Sequence, residues 1–326
     1  MILKKIISVC LFLLGICVWV VPVALAGQHR ILYVDSYHQS YPWSAGITRG
    51  IQSVLEKHPE IELKIERMDS KRISGEEDIK SAALKVKGII DSWQPDIVIA
   101  SDDNASKYLI VPYFMGADLP FVFCGVNWDA SSYGFPTANI TGMVEVQLID
   151  QIIAILQDYA SGSRIAFIKG DDLSAQIEAD FFEKRFDIQL DRRFVSDFST
   201  WKEQYLVLQK EADMILLGNS VSIKGWNPEE AQAFIMEATV VPTGNWDAWM
   251  APYSLVTLAN MPEEQGEWAA TTALRILSGT PPSDIPIATN EKAKIYLNME
   301  LAKKIGVKFP IELIERATFT SELEKQ

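Results

Sequence analysis

The stretch Pro95-Asp96-Ile97-Val98-Ile99-Ala100-Ser101-Asp102-Asp103-Asn104 decides the fold. From Ile97 to Ala100 the side chains are apolar without alternation. A strand shows that pattern when helices cover both its faces, as in a parallel sheet. Pro95 fences the run on one side, and Ser101 with three Asp and Asn side chains fences it on the other. The same sequence of apolar run, abrupt polar turn and helical periodicity recurs in both directions along the chain.

Working outward, strands are expected at 30–34, 62–67, 96–100 and 120–124, with helices at about 44–58, 75–92 and 104–115. The pattern then restarts. A helix near 145–160 leads to a strand at 164–168, a helix at 173–186 and a strand at 188–195. Next come a helix at 199–210, a strand at 213–217, a helix at 228–238 and a strand at 239–242. The stretches 139–146 and 253–259 read as extended crossings between the halves. The helix 266–277, the turn Ser278-Gly279-Thr280-Pro281-Pro282, and a final strand and helix from Ile285 follow. This alternation predicts an α/β chain of two doubly wound parallel-sheet lobes joined by a multi-strand hinge. Lobe one is expected to comprise 27–141 plus about 253–284, and lobe two about 142–252 plus 285–326.

The 326 residues, 48% hydrophobic and 22% charged, suit an ordinary globular protein with a sizeable core. The N-terminus stands apart. Lys4 and Lys5 precede an apolar stretch from Ile6 to Val21, and Pro22-Val23-Ala24-Leu25-Ala26 supplies an Ala-x-Ala site. Residues 1–26 are therefore expected to be a signal peptide cut between Ala26 and Gly27, leaving the protein exported, periplasmic or extracytoplasmic. An uncut membrane anchor is the alternative. Removing Lys4 and Lys5 takes the formal net charge from −13 to −15. Such a surface repels phosphate backbones, so nucleic acid is excluded as a partner. Cys10 and Cys17 leave with the leader, and the remaining Cys124, in Phe121-Val122-Phe123-Cys124, reads as a small buried hydrophobe.

In open parallel sheets ligands bind outside the carboxyl ends of the strands. Six such ends carry similar residues. The first presents Asp35, Ser36, Tyr37 and His38, with Tyr41 and Trp43 close behind. The third presents Ser101, Asp102 and Asp103, and the fourth Asn127 and Trp128. From the second half come Asp171, Asn219, and the run Asn245-Trp246-Asp247. Any one Asp or Asn equally suits a helix N-cap or a turn, but capping does not call for indole. Carboxylates and amides offer hydrogen bonds to hydroxyl or ammonium groups, while aromatic faces cover rings or cations. Arg is scarce in these loops. The pattern points to a small polar solute, neutral or cationic, with an apolar face.

Enzyme and cofactor signatures are missing from the sequence. There is no dinucleotide Gly-x-Gly-x-x-Gly, no Gly-x-x-x-x-Gly-Lys-Ser/Thr and no Gly-x-Ser-x-Gly elbow. Asp102-Asp103 and Asp171-Asp172 lack the spacing of a calcium loop. No cofactor and no metal are expected. His38 is the one candidate acid–base or metal group, and a hydrogen-bonding role fits it better because no second histidine is near in sequence.

Four segments, Ser36–Ile51, Asp96–Ser106, Leu119–Asp129 and Gly279–Pro310, resemble the extracytoplasmic solute-binding proteins of ABC transporters with the type I periplasmic-binding fold. The nearest branch includes tryptophan- and tyrosine-binding members. The resemblance implies a binding protein, not an enzyme, that closes two lobes on a solute and delivers it to membrane permease subunits. It implies pocket positions at Ser101 and Asp102 in lobe one and at Asp171, Ser174, Asn219 and Asp247 in lobe two. Related modules also act in sensing, so docking on a membrane sensor kinase is the alternative function. A secreted enzyme using His38 and a carboxylate is the third.

Overall fold

The central apolar runs, such as Ile97–Ser101 and Met214–Leu217, become strands because helices formed by the intervening segments cover both their faces. The structure, a computed structural model, describes residues 29–73 and 75–323. The expected signal peptide lies outside the described residues. Among the described residues no helix is long and apolar enough to cross a membrane.

The first half runs β1 (His29–Asp35), α1 (Pro42–Leu55), β2 (Ile61–Arg67), α2 (Glu76–Trp93), β3 (Ile97–Ser101) and α3 (Asp102–Ala105). A π-helical turn, Ser106–Ile110, carries α3 directly into α4 (Val111–Phe114), before β4 (Phe121–Asn127) and β5 (Ile140–Glu145). The second half continues with α5 (Ile149–Gln157), β6 (Ile165–Gly170), α6 (Leu173–Phe186), β7 (Leu190–Val195), α7 (Phe198–Glu211) and β8 (Met214–Leu217). Then come α8 (Pro228–Ala238), β9 (Thr243–Asn245), β10 (Val256–Asn260), α9 (Pro262–Leu277), β11 (Ala288–Thr289), β12 (Ala293–Leu297), α10 (Met299–Ile305) and β13 (Ala317–Phe319).

The strands build two sheets, ordered β11-β5-β4-β3-β1-β2 and β13-β12-β10-β9-β8-β6-β7. All pairings are parallel except β10 with β12. In the first sheet the order reverses between β1 and β3, and in the second between β6 and β8. These are the switch points where loops diverge and leave a crevice. Asp35 and Ser101 are paired in register at the first of them.

Strand alternation divides the first lobe's core. Leu32, Val34, Val98, Ala100, Phe121 and Phe123 face α2 and the helix that follows β3. Ile31, Tyr33, Ile97, Ile99, Val122 and Cys124 face α1 and α9. Cys124 is fully buried, as its apolar neighbours led us to expect. The second lobe has one continuous core centred on Phe167, Phe182, Tyr205 and Leu216.

Helix α9 lies in sequence beyond the second sheet but packs on α1 of the first lobe. A Cβ on Gly266 would stand 2.1 Å from the Ile47 carbonyl oxygen, and one on Gly50 2.2 Å from that of Glu263. The two backbones touch because Gly-x-x-x-Gly in α1 and Gly266 in α9 carry no side chain there. Gly266→Ala is therefore expected to destabilise the protein by about 2–3 kcal/mol through forced separation of the helices. Urea unfolding checks this; an unchanged midpoint would show that the helices give way freely.

Two expectations need correction. Residues 239–242 are not a strand: Thr239 ends α8, its hydroxyl bonded to the Ile235 carbonyl at 2.7 Å, and Val240 is exposed. The strand is β9, which begins beyond Pro242. The stretch 253–259, assigned to lobe one, instead supplies β10 to the second sheet, while β11 joins the first. The chain thus crosses between the sheets three times, after β5, after β10 and after β11. Asn260 and Asn290 tie the crossings together. The Asn290 side chain accepts from the Val146 N–H at 2.8 Å and donates to the Val146 carbonyl at 3.0 Å and to Asn260 Oδ1 at 3.1 Å. Asn260 Nδ2 donates to the Val146 carbonyl at 3.0 Å.

Candidate functional site

The loop after β1 stays where it is because its small polar residues turn inward. Ser36 Oγ donates to the Ser101 carbonyl at 2.5 Å and accepts from the Ala105 N–H at 2.8 Å, fastening the start of α3 to β1. Asp35 Oδ1 accepts from the Tyr37 N–H and from Ser44 Oγ, and its other oxygen lies 3.3 Å from Arg67. Ser101 Oγ is bonded to the Tyr33 hydroxyl at 3.1 Å. Asp35, Ser36 and Ser101, all expected to meet solute, are fully buried and engaged by the protein itself. Their place is in the scaffold under the crevice.

Asp102 is different. Its φ is +70°, a left-handed conformation that side chains resist, at the first residue of a helix. Trp43 Nε1 donates to its Oδ1 at 3.1 Å. Beneath this pair Gly125, at φ +66°, leaves the room they need; a Cβ there would stand 3.2 Å from Asp102 Oδ1. The second oxygen, Oδ2, is buried with no hydrogen-bond partner, in a side chain only 3% exposed. Asp102 caps nothing, so the turn-former reading of this carboxylate fails.

Around Asp102 stand further acids and rings. Asp103 accepts from Tyr133 O–H at 2.7 Å and from Asn127 Nδ2 at 2.6 Å. Glu145, the last residue of β5, accepts from Asn260 Nδ2 at 3.2 Å. The residue is half-buried, and protein surrounds its carboxyl. Burial, reinforced by Asp103 and Asp247 against the Asn260 hydrogen bond, raises it to about 7. Burial first, then Glu145 and Asp35, push the Asp102 carboxyl well above the usual range. Tyr37 and Tyr41 meet edge to face at 5.1 Å and feel the Asp102 and Glu145 charges. Lys71 stands over both rings, at 4.6 and 5.3 Å from their centroids.

In the second sheet Asp247 follows β9, and its charge is among those that raise the Glu145 carboxyl. Burial raises its carboxyl, opposed by Asn219 and Lys169. Its Oδ2 also has no partner, and it makes no capping bond. Asn245 holds it in place: Nδ2 donates to the Leu217 carbonyl, and Oδ1 accepts from the Asp247 N–H at 2.5 Å. Trp246, expected against solute, is instead a core residue, its ring 5.2 Å from Phe182 and 5.9 Å from Phe167. Behind them Lys169 and Glu178 form a buried ion pair of 2.5 Å.

Among the expected residues the structure groups Tyr37 with Tyr41, Trp43 with Asp102, and Asp103 with Asn127 in the first lobe, and Asn219 with Asp247 in the second. Trp128, at φ +61°, bridges the lobes: Nε1 donates to Gln147 at 3.0 Å, and the ring lies 6.1 Å from Phe181. His38 stays at the edge, bonded to Ser40 and leaning on Tyr41. Asp171 and Ser174 are exposed at the rim of the second lobe, where the neighbouring Asp172 is the cap of α6. Glu145, Tyr133 and Asn260 were not foreseen. The strand-end rule would have found Glu145 had 139–146 been read as a strand. Among the described residues no three His, Cys, Asp or Glu side chains converge closely enough to hold a metal ion.

No family model matches the chain, and no curated protein does. Solved structures match its fold. A substrate-binding protein with adhesive properties from Clostridium difficile, in its ligand-free, open structure, is 15% identical with a TM-score of 0.68, covering 90% of this chain and 99% of that one. A Streptococcus pneumonia ABC domain in complex with L-Trp is also 15% identical, with a TM-score of 0.55 and the same coverage. An ABC transporter solute-binding protein from Bradyrhizobium sp. BTAi1, with bound Bis-Tris, is 12% identical at 0.55, covering 88% and 86%. The chain thus has the type I periplasmic-binding fold of ABC transporter solute-binding proteins, and these structural neighbours bind ligands.

Proposed function

We propose that the protein is an exported solute-binding protein that captures a small polar solute between its lobes and delivers it to the permease of an ABC transporter. The observation that carries this reading is that Asp102, just past a strand of the first sheet, and Asp247, just past a strand of the second, each keep a buried carboxylate oxygen without a hydrogen-bond partner; we read the two as facing one crevice. A solute touching both stabilises whichever arrangement brings the lobes nearer, because only differential affinity shifts such an equilibrium. Tyr37, Tyr41, Asp103 and Asn127 supply the remaining faces and donors, and Asn245 and Asn219 set the position of Asp247. Solute leaves unchanged, with no catalytic step assigned to His38.

A thermal-shift panel on the chain from Gly27 onward tests the reading. A solute present at 100 times its dissociation constant is expected to add about 2.7 kcal/mol of stability. Both Asp102→Asn and Asp247→Asn should weaken that solute at least tenfold. A panel of sugars, amino acids, amines and nucleosides that produced no stabilisation would overturn the proposal. Recovery of a kinase instead of a permease from membranes would replace delivery with sensing.

A further inference from the structure

On that reading of the crevice, we infer that the solute is an organic cation, an amine or a guanidine whose charged end is held by Asp102 and Glu145. Asp102 is nine-tenths and more buried, with one carboxylate oxygen lacking any partner, and the charges acting on it are those of Glu145, Asp35 and Asp103. The charges acting on Glu145 are Asp103 and Asp247. Burial and the neighbouring acids favour the protonated form of both carboxyls, and ionising them there costs several kcal/mol unless a counter-charge arrives. Of the nearby cations, Arg67 is paired with Asp35 and Lys169 with Glu178, while Lys71 sits on the rings and not beside a carboxylate. Lys71 lies on the faces of Tyr37 and Tyr41, showing that this ring pair accepts a cation. A guest bearing positive charge supplies what the crevice lacks. A neutral guest gives neither acid a reason to ionise, and an anion opposes their ionisation.

The carboxylates do not converge as a metal set, which favours a dispersed organic cation over a bare ion. At the carboxyl edge of the second sheet, Leu173, Val221 and Trp249 are 73%, 79% and 52% exposed. The loops bearing Leu173 and Val221 are tied by the Ser222 hydroxyl donating to Asp172. They offer apolar surface for a carbon skeleton.

The test uses matched sets: tryptamine, tryptophol and indole-3-acetate; and 1,6-diaminohexane, 1,6-hexanediol and adipate. Calorimetry at pH 8 on the chain from Gly27 is expected to show, in at least one set, the cation binding at least tenfold more tightly than its neutral partner. Asp102→Asn should remove that advantage, the cation losing at least tenfold more affinity than its neutral partner. Should Asp102→Asn fail to fold, Glu145→Gln serves the same purpose. Equal or tighter binding of the neutral or anionic member overturns the inference and leaves solute capture standing. The same holds if a neutral or zwitterionic solute from the broader panel binds and no cation does. If no compound of either collection binds, both the inference and solute capture fall.

Discussion

Lys169→Ala is expected to lower the unfolding free energy by about 3–5 kcal/mol at pH 8, because it strands Glu178 as an unpaired buried charge. The two side chains are 7% and 6% exposed, and their charged atoms meet at 2.5 Å. Burial already raises the Glu178 carboxyl, and Lys169 is what opposes the rise. Without the ammonium, Glu178 ionises only at higher pH. The loss is therefore greatest above that point and shrinks as the solution is acidified and the carboxyl protonates. Urea unfolding at pH 8 and pH 5 separates this charge effect from the lost packing of the lysine stem over Gly218, which pH does not alter. Replacing both partners by apolar residues, Lys169→Met with Glu178→Leu, should recover most of the stability. If the single variant lost the same amount at both pH values, stranded charge would not be the cause.

Glu145→Gln is expected to act in the opposite direction. In the folded protein this carboxyl is raised from its ordinary 4.5 to about 7, so folding favours its protonated form. Below pH 4.5 the group is protonated whether the chain is folded or not, and it costs nothing. As pH rises through 7 that stability is lost, to a limit of about 3 kcal/mol by linkage. Glutamine cannot ionise and keeps an oxygen for Asn260 Nδ2. The variant should be more stable than the parent at pH 8 by about 2–3 kcal/mol and indistinguishable from it at pH 4, read by denaturant midpoints. Equal stability at pH 8 would mean that water or rearrangement relieves Glu145 in the free protein. The excess stability at pH 8 should come with weaker binding of cations. A site tuned for a charged guest holds its acids at a cost to the fold.

Much of this architecture was legible in the sequence, and the reasons for the remainder are local. Ile97–Ser101 could be placed as a doubly covered strand because its apolar run leaves no polar face. Thr239–Pro242 misled because β-branched residues favour strands; here they form a link between α8 and β9. Asp102 and Asp103 were recognisable as strand-end acids, but composition does not tell a free carboxylate from an engaged one. Asp35 and Asp102 look alike in sequence, and each keeps one oxygen without a hydrogen bond; the Arg67 ion pair beside Asp35 is what separates the scaffold acid from the open one. Trp246 was misplaced for a similar reason: at a strand end, alternate side chains point into the core, and one register position decides which. Glu145 escaped notice because its strand ends in a crossing. Tyr133 escaped because its bond to Asp103 spans 30 positions.

The contact of α9 with α1 also has a consequence for synthesis. Arg49 and Glu263, paired across it, are 214 positions apart, and β11 arrives later still to flank β5. A ribosome that has delivered everything through β5 has made most of the first lobe's strands and α1, but not α9, the second helix over that face. The nascent chain must carry that half-covered apolar sheet until α9 emerges, so holdase chaperones should engage it longest in this interval. Premature termination anywhere before α9 yields a product that protease surveillance clears, not a smaller binding domain.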